Sequence, residues 1–217
     1  MDDRLIKNES VYKDVEACIE KAGGTSKFQF IAFAMIVCGM VCGAFILYCI
    51  AYFTKEPPLL CQAQVDSPWV HCKKDDACSP KTHLFKHDPD SDETLTNWVS
   101  TMNLYCTKDF EMSLIGSMFL VGAFVGSFIL PRAADIYGRK PFFLIGLGIY
   151  ILDVIALYFC NNLYLLYFLL FAGGISETGR YYVAYVYVVE MMPKKAQDKA
   201  GLYIFMVFGL AMAYIGL

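Results

Sequence analysis

Apolar residues along the chain fall into five long runs separated by polar segments of very unequal length. No Asp, Glu, Lys or Arg occurs from 28 to 53, from 112 to 131 or from 201 to 217, and the runs 142–160 and 163–189 carry only Asp153, Glu177 and Arg180. A helix needs about 20 residues to cross a bilayer, and an isolated strand cannot satisfy its backbone in lipid. The pattern therefore predicts an all-α polytopic membrane protein with spans at 28–53, 111–131, 142–160, 163–189 and 201–217. The polar remainder consists of an N-terminal segment 1–27, a long loop 54–110, short loops 132–141 and 190–200, and the two-residue turn Asn161-Asn162. Within 1–27, Val11, Val15, Ile19 and Ala22 recur at helical spacing before Gly23-Gly24, so a short amphipathic helix with a glycine stop is expected there. The segment lacks the apolar core of a signal peptide.

Composition agrees with the runs: 57% of the residues are hydrophobic and 18% charged, with a net charge of −3. Without a basic patch dense enough to track phosphates, a nucleic-acid partner is excluded, and a soluble enzyme is excluded by the runs themselves. The surroundings to expect are membrane lipid. Lys and Arg then orient the chain. Loop 132–141 holds Arg132, Arg139 and Lys140, loop 190–200 holds Lys194, Lys195 and Lys199, and the 161–162 turn holds none, which places the N-terminus in the cytoplasm.

The loop 54–110 falls on the outer face. Its nine acids and six lysines give it the whole chain's net charge of −3. Four of the nine cysteines, Cys61, Cys72, Cys78 and Cys106, lie in it, where an oxidising compartment favours disulfides. Four cysteines allow three pairings, and the sequence does not choose among them. The rival is a zinc site made of Cys72, Cys78, His83 and His87, but the gap from Cys72 to Cys78 exceeds the usual C-x(2–4)-C knuckle.

The residues after the second run read Pro131-Arg132-Ala133-Ala134-Asp135-Ile136-Tyr137-Gly138-Arg139-Lys140. This resembles the G-x-x-x-D-x-x-G-R-K/R loop between spans two and three of the major facilitator superfamily. Glu190-Met191-Met192-Pro193 is similar to that superfamily's E-x-x-P-x-x-x-R element. Asn97-Trp98 through Asn103-Leu104-Tyr105-Cys106 resembles the close of the outer domain in its organic cation and anion transporter family, as does the approach Tyr12-Lys13-Asp14-Val15-Glu16 to Phe28-Gln29-Phe30. Two positions depart from the pattern: Pro131 replaces the first glycine, and Gln197 replaces the final arginine.

The resemblance implies a secondary carrier of a small organic ion working by alternating access, with this chain as roughly the first five of twelve spans. It also implies partnership with a missing C-terminal half or other membrane subunits, and residence in the plasma membrane, with an internal membrane as the alternative. The alternative is a truncated, transport-inactive relative serving as a structural or regulatory subunit. Five spans alone are not expected to transport. With no nucleophile–base pair, P-loop or buried metal cluster in the sequence, neither an enzyme nor a cofactor is expected.

By the same resemblance, Asp135, Gly138, Arg139, Lys140 and Glu190 form a conformational latch at the cytoplasmic ends of neighbouring spans, weakened by the loss of arginine at Gln197. Pro141 is expected to start the next helix. Charges inside spans point to function, so Asp153, Glu177, Arg180, Tyr181 and Tyr185 are the candidate substrate path. Counted from the ends of the runs, Asp153 and Arg180 lie at matching depth and are expected to pair across spans three and four. Glu177 and Arg180 can also pair at i,i+3. The triad is then either part of the path or a neutralised structural ion pair. Glu177, Tyr181 and Tyr185 share one face at i, i+4 and i+8, a carboxylate over two rings that suits an organic cation, or tyrosines that pack between helices.

Overall fold

The computed structural model describes residues 17–19, 21, 26–62, 67–79, 84–88, 91 and 96–215. Most of the amphipathic N-terminal helix expected before Gly23-Gly24, and His83 of the zinc alternative, lie outside the described residues.

Among the described residues, five long helices carry the fold: α1 (Lys27–Phe53), α4 (Asp109–Tyr137), α5 (Arg139–Tyr158), α6 (Leu163–Met191) and α7 (Lys194–Ile215). Between α1 and α4 lie β1 (Leu59–Gln62), β2 (Val70–Cys72), the short helix α2 (Lys74–Ala77), β3 (Leu84–His87) and the short helix α3 (Trp98–Thr101). Four of the long helices, α1, α4, α5 and α7, are apolar and long enough to cross a membrane. The fifth, α6, has the length, but Glu177 and Arg180 interrupt its apolar stretch. It lies at the centre, packed against α1, α4, α5 and α7, with eleven buried positions. A helix shielded by its neighbours presents little surface to lipid, so polar side chains on it are tolerated where partners exist.

The helices are longer than the charge-free runs. Helix α4 continues past Pro131 to Tyr137, and α5 starts at Arg139, so the loop expected over 132–141 shrinks to Gly138. Gly138 has φ 97° and ψ 149°, which a side chain resists, so glycine makes the sharp joint. Pro141 does not start α5 but sits in its first turn, where no intrahelical N–H is needed. Helix α7 likewise starts at Lys194, leaving only Met192-Pro193 between helices instead of a loop over 190–200. Lysine and arginine can lie on helix turns at a membrane boundary by reaching for water with their long stems. At the other end of the bundle, Asn162 caps α6, accepting from the Tyr164 and Leu165 amides at 2.9 and 3.3 Å.

Glycine sets the close approach of α4 to α6. A methyl at Gly122 would collide with the Phe171 carbonyl, and one at Gly174 with that of Phe119. Polar side chains of α6 bind its neighbours: Ser176 Oγ donates to the Gly146 carbonyl on α5 at 2.7 Å and Thr178 Oγ1 to the Ala123 carbonyl on α4 at 3.0 Å. Two apolar clusters fill the bundle. One gathers Phe33, Met40, Phe143, Val188 and Ile204; the other, toward the sheet, gathers Ile50, Ile115, Phe119, Leu166 and Leu170.

The segment between α1 and α4 is a small folded unit and not a bare loop. Its antiparallel sheet has the order β2-β1-β3, with Leu59 opposite Cys72 and His87. Cys61 bonds to Cys72 and Cys78 to Cys106, which settles the pairing and takes both thiols of the zinc alternative into different disulfides. The unit is pinned to the bundle in two places. The Asn97 amide donates to the Tyr52 and Lys55 carbonyls at 3.2 and 2.7 Å, with Trp98 stacked on Phe53. Lys74 bridges Glu56 at 2.7 Å and Asp109 at 2.9 Å. Burial pulls the Lys74 ammonium down, and its bonds to the two carboxylates outweigh that, leaving it above the ordinary lysine value.

Candidate functional site

At the end of the bundle opposite the sheet, the Gly138 joint holds α4 and α5 so that Asp135 and Arg139 lie one turn apart. Arg139 Nη2 is 2.9 Å from Asp135 Oδ1. The same guanidinium reaches across to α6, donating from Nη2 to Glu190 Oε1 at 2.8 Å and from Nε to Glu190 Oε2. This two-pronged pairing fixes direction as well as charge. Three helix ends thus meet on one side chain. Arg139 is 20% exposed while both acids are more than half exposed, so the contact is open to water and can break without stranding a charge. Lys140 is exposed beside them and lines, with Gly138, Pro141 and Tyr187, a surface hollow of about 420 Å³ over the cluster. Gln197 does not reach Glu190; its amide donates to the Met192 carbonyl at 3.1 Å and closes the end of α6.

Deep in the bundle, Arg180 is 1% exposed. Its Nη2 pairs with Glu177, and its Nη1 donates to the Gly39 carbonyl of α1 at 2.8 Å. Its Cζ lies 4.1 Å from the centre of the Tyr150 ring on α5, and the Tyr150 hydroxyl donates to the Cys42 carbonyl at 2.7 Å. Gly43 is bare where the pair presses on α1: a methyl there would overlap Glu177 Oε2 and both terminal nitrogens of Arg180. The Gly39-x-x-x-Gly43 spacing therefore makes a socket for an ion pair as well as a helix contact.

The expected pairing of Asp153 with Arg180 is not formed. Gly146 of α5 packs beside Gly179 and Arg180, Tyr150 covers the guanidinium, and Asp153 lies farther along, against Gly173. The depth match failed because it was counted from charge-free runs and not from true helix ends. From Arg139, Asp153 is about 21 Å along α5, while Arg180 is only about 16 Å from the Met191 end of α6. Asp153 is 4% exposed, and neither carboxylate oxygen has a hydrogen-bond partner among the described residues.

The carboxylate and the two tyrosines of α6 point apart. Glu177 turns toward α1 and Arg180. Tyr181 packs on Phe208 of α7 at 5.1 Å between ring centres, and Tyr185 on Phe205 at 5.9 Å. Tyr150 is the residue that sequence reasoning missed; Gly39-x-x-x-Gly43 reads from the sequence as a helix-packing pair, without its charge-holding role. The available signal was Tyr150 at i,i+3 from Asp153, together with a glycine pair in the neighbouring span.

Residues 74–216 match the family described as sugar (and other) transporter. The chain is similar to the organic cation transporter-like protein of Drosophila melanogaster, 29% identical over 121 residues, 56% of this chain and 21% of that protein. Sialic acid transporter NanX of Escherichia coli (strain K12) is 33% identical over 107 residues, 49% of this chain and 26% of that protein. Organic cation/carnitine transporter 2 of Homo sapiens is 29% identical over 121 residues, 54% of this chain and 22% of that protein. The chain spans about a fifth to a quarter of the length of these relatives.

Proposed function

This chain belongs to the sugar (and other) transporter family of the major facilitator superfamily, and from that membership we propose that it forms the N-terminal part of a carrier that moves a small organic ion by alternating access. Membrane residence and solute transport are properties of the family; the direction of insertion, the substrate and the cycle are parts of the proposal. The N-terminus and the Arg139 end face the cytoplasm, the disulfide unit faces outward, and the membrane is the plasma membrane. Alternating access needs two bundles moving about a midplane site, so the proposed carrier includes spans that pair with the five described here.

The observation that carries the reading is Arg139 joined to both Asp135 and Glu190, one side chain tying the ends of three helices. A water-accessible charge cluster of this kind can hold the helix ends together in one state and release them in another. With the cluster closed at the cytoplasmic end, the state it favours is open to the outside.

The proposed substrate is a cation. Glu177 and Arg180 match each other's charge and Tyr150 covers the guanidinium, so the pair offers no net charge to a substrate. Tyr181 and Tyr185 then supply two ring faces along α6 for a cation, reached when α7 moves off them. Uptake of radiolabelled tetraethylammonium and of a radiolabelled organic anion by the carrier containing this chain tests the choice. Cation uptake that falls in Tyr181→Leu and Tyr185→Leu supports it, and uptake of the anion alone overturns it.

A further inference from the structure

Asp153 has an environment that the paired charges do not share. It is 4% exposed, and both of its carboxylate oxygens lack a partner among the described residues. On α6 it faces Gly173, where a methyl would lie 2.6 Å from its Oδ2, and the α4 side supplies the apolar Phe119. The ionisable groups in electrostatic reach of Tyr150, one turn back on the same helix, are Asp153 itself, Glu177 and Arg180 on α6, and Cys42 on α1. Glu177 and Arg180 are bound to each other, and the Tyr150 hydroxyl is given to the Cys42 carbonyl. A carboxylate ion left in such a place would be stripped of water with no donor bonded to it among the described residues, Arg180 Nε being likewise unpartnered, and groups so placed take up a proton instead. A metal cation would need a shell of oxygens, whereas one carboxyl against glycine and phenylalanine suits a proton alone.

We infer that Asp153 is a proton-binding site whose occupancy controls the Tyr150 link between α1 and α5. With its O–H bond intact, Asp153 is neutral and makes no demand on its neighbours, and Tyr150 stays on Cys42. When that bond breaks and the proton passes to water, the electron pair remains on the carboxylate, which then needs a donor. Tyr150, one helical turn away on the same face, carries the available O–H. Giving it to Asp153 breaks the bond to the Cys42 carbonyl and uncovers Arg180. Proton binding stands apart from the carrier reading; only its use to drive transport rests on that reading.

Infrared difference spectroscopy of the purified chain in lipid nanodiscs, stepped from acid to alkaline pH, reads the site without any transport assay. The expected result is a carbonyl stretch of a protonated carboxylic acid that persists above the pH range of ordinary carboxylic acids, absent in Asp153→Asn and retained in Glu177→Gln. Raising the pH should bleach this band together with a change in the tyrosine C–O band that Tyr150→Phe removes. If Asp153→Asn does not fold, isotope-labelled aspartate in the unaltered chain must show the same band shifted by the label. No aspartate carbonyl band above the pH range of ordinary carboxylic acids overturns the site, and bleaching without the Tyr150 change overturns its link to α1.

Discussion

The guanidinium of Arg180 lies 4.1 Å from the centre of the Tyr150 ring, and that ring's hydroxyl holds the Cys42 carbonyl at 2.7 Å. One tyrosine thus covers a buried charge and joins two helices through its rim. Removing only the hydroxyl in Tyr150→Phe should cost about 1 kcal/mol. Tyr150→Leu should cost roughly 1–3 kcal/mol, because the ring face is lost as well. Unfolding of the purified chain in mixed micelles, compared for the two variants, checks the order; equal losses would show that the face contributes nothing.

Gly43→Ala should be among the most damaging single-methyl changes, since its Cβ would fall on both Glu177 and Arg180. Disrupting a buried pair costs about 3–5 kcal/mol. Gly148→Ala, with nothing within 4 Å of the added carbon, is the control and should be nearly silent. Thermal stability of the two variants in the same detergent decides it.

Arg180→Met leaves Glu177 as an unmatched acid in the bundle and should destabilise by about 3–5 kcal/mol. Glu177→Gln with Arg180→Met removes both charges and should recover most of that loss, because neutral replacements avoid the desolvation of the pair. A double-mutant cycle measures the recovery. Additive losses would mean that the two groups do not act as a pair.

Lys74 holds the disulfide unit against Glu56 and Asp109, and its ammonium is raised above the ordinary value of 10.5. A raised folded value means the attachment is at full strength below the ordinary lysine pKa and is lost as pH climbs through the higher one. Hydrogen exchange around α2 should therefore be flat near neutrality and rise only in strong alkali beyond its intrinsic acceleration. Lys74→Met should show the looser state at every pH. The effect is small, about 0–1 kcal/mol, because Asp109 is 93% exposed.

What the sequence made legible, and what it did not, follows from the range of the forces involved. The spans are a one-dimensional property of apolar runs, and Gly138 is a local backbone requirement, so both could be read directly. Helix ends were misplaced at Tyr137 and Lys194 because charged residues are compatible with helix at a membrane boundary. The partners of Cys61 and Cys78 depend on how β1, β2 and the segment before α4 come together, which no spacing contains. Asp153 was assigned to Arg180 by depth alone, whereas a few ångströms of axial offset were enough to hand the guanidinium to Tyr150. Gly43 carried no sign of its charge-holding role until the helix opposite it was known.

Arg139 is proposed to close one end of a moving bundle. This closure is tested most directly by the rate at which a membrane-impermeant thiol reagent, applied from the Arg139 side, labels Tyr185→Cys in a background without the free native cysteines. Charge-assisted hydrogen bonds contribute about 1.5–3 kcal/mol, so Arg139→Ala should speed labelling by roughly tenfold to a hundredfold, and Asp135→Asn should speed it less. Labelling rates that are unchanged in both variants would contradict the account.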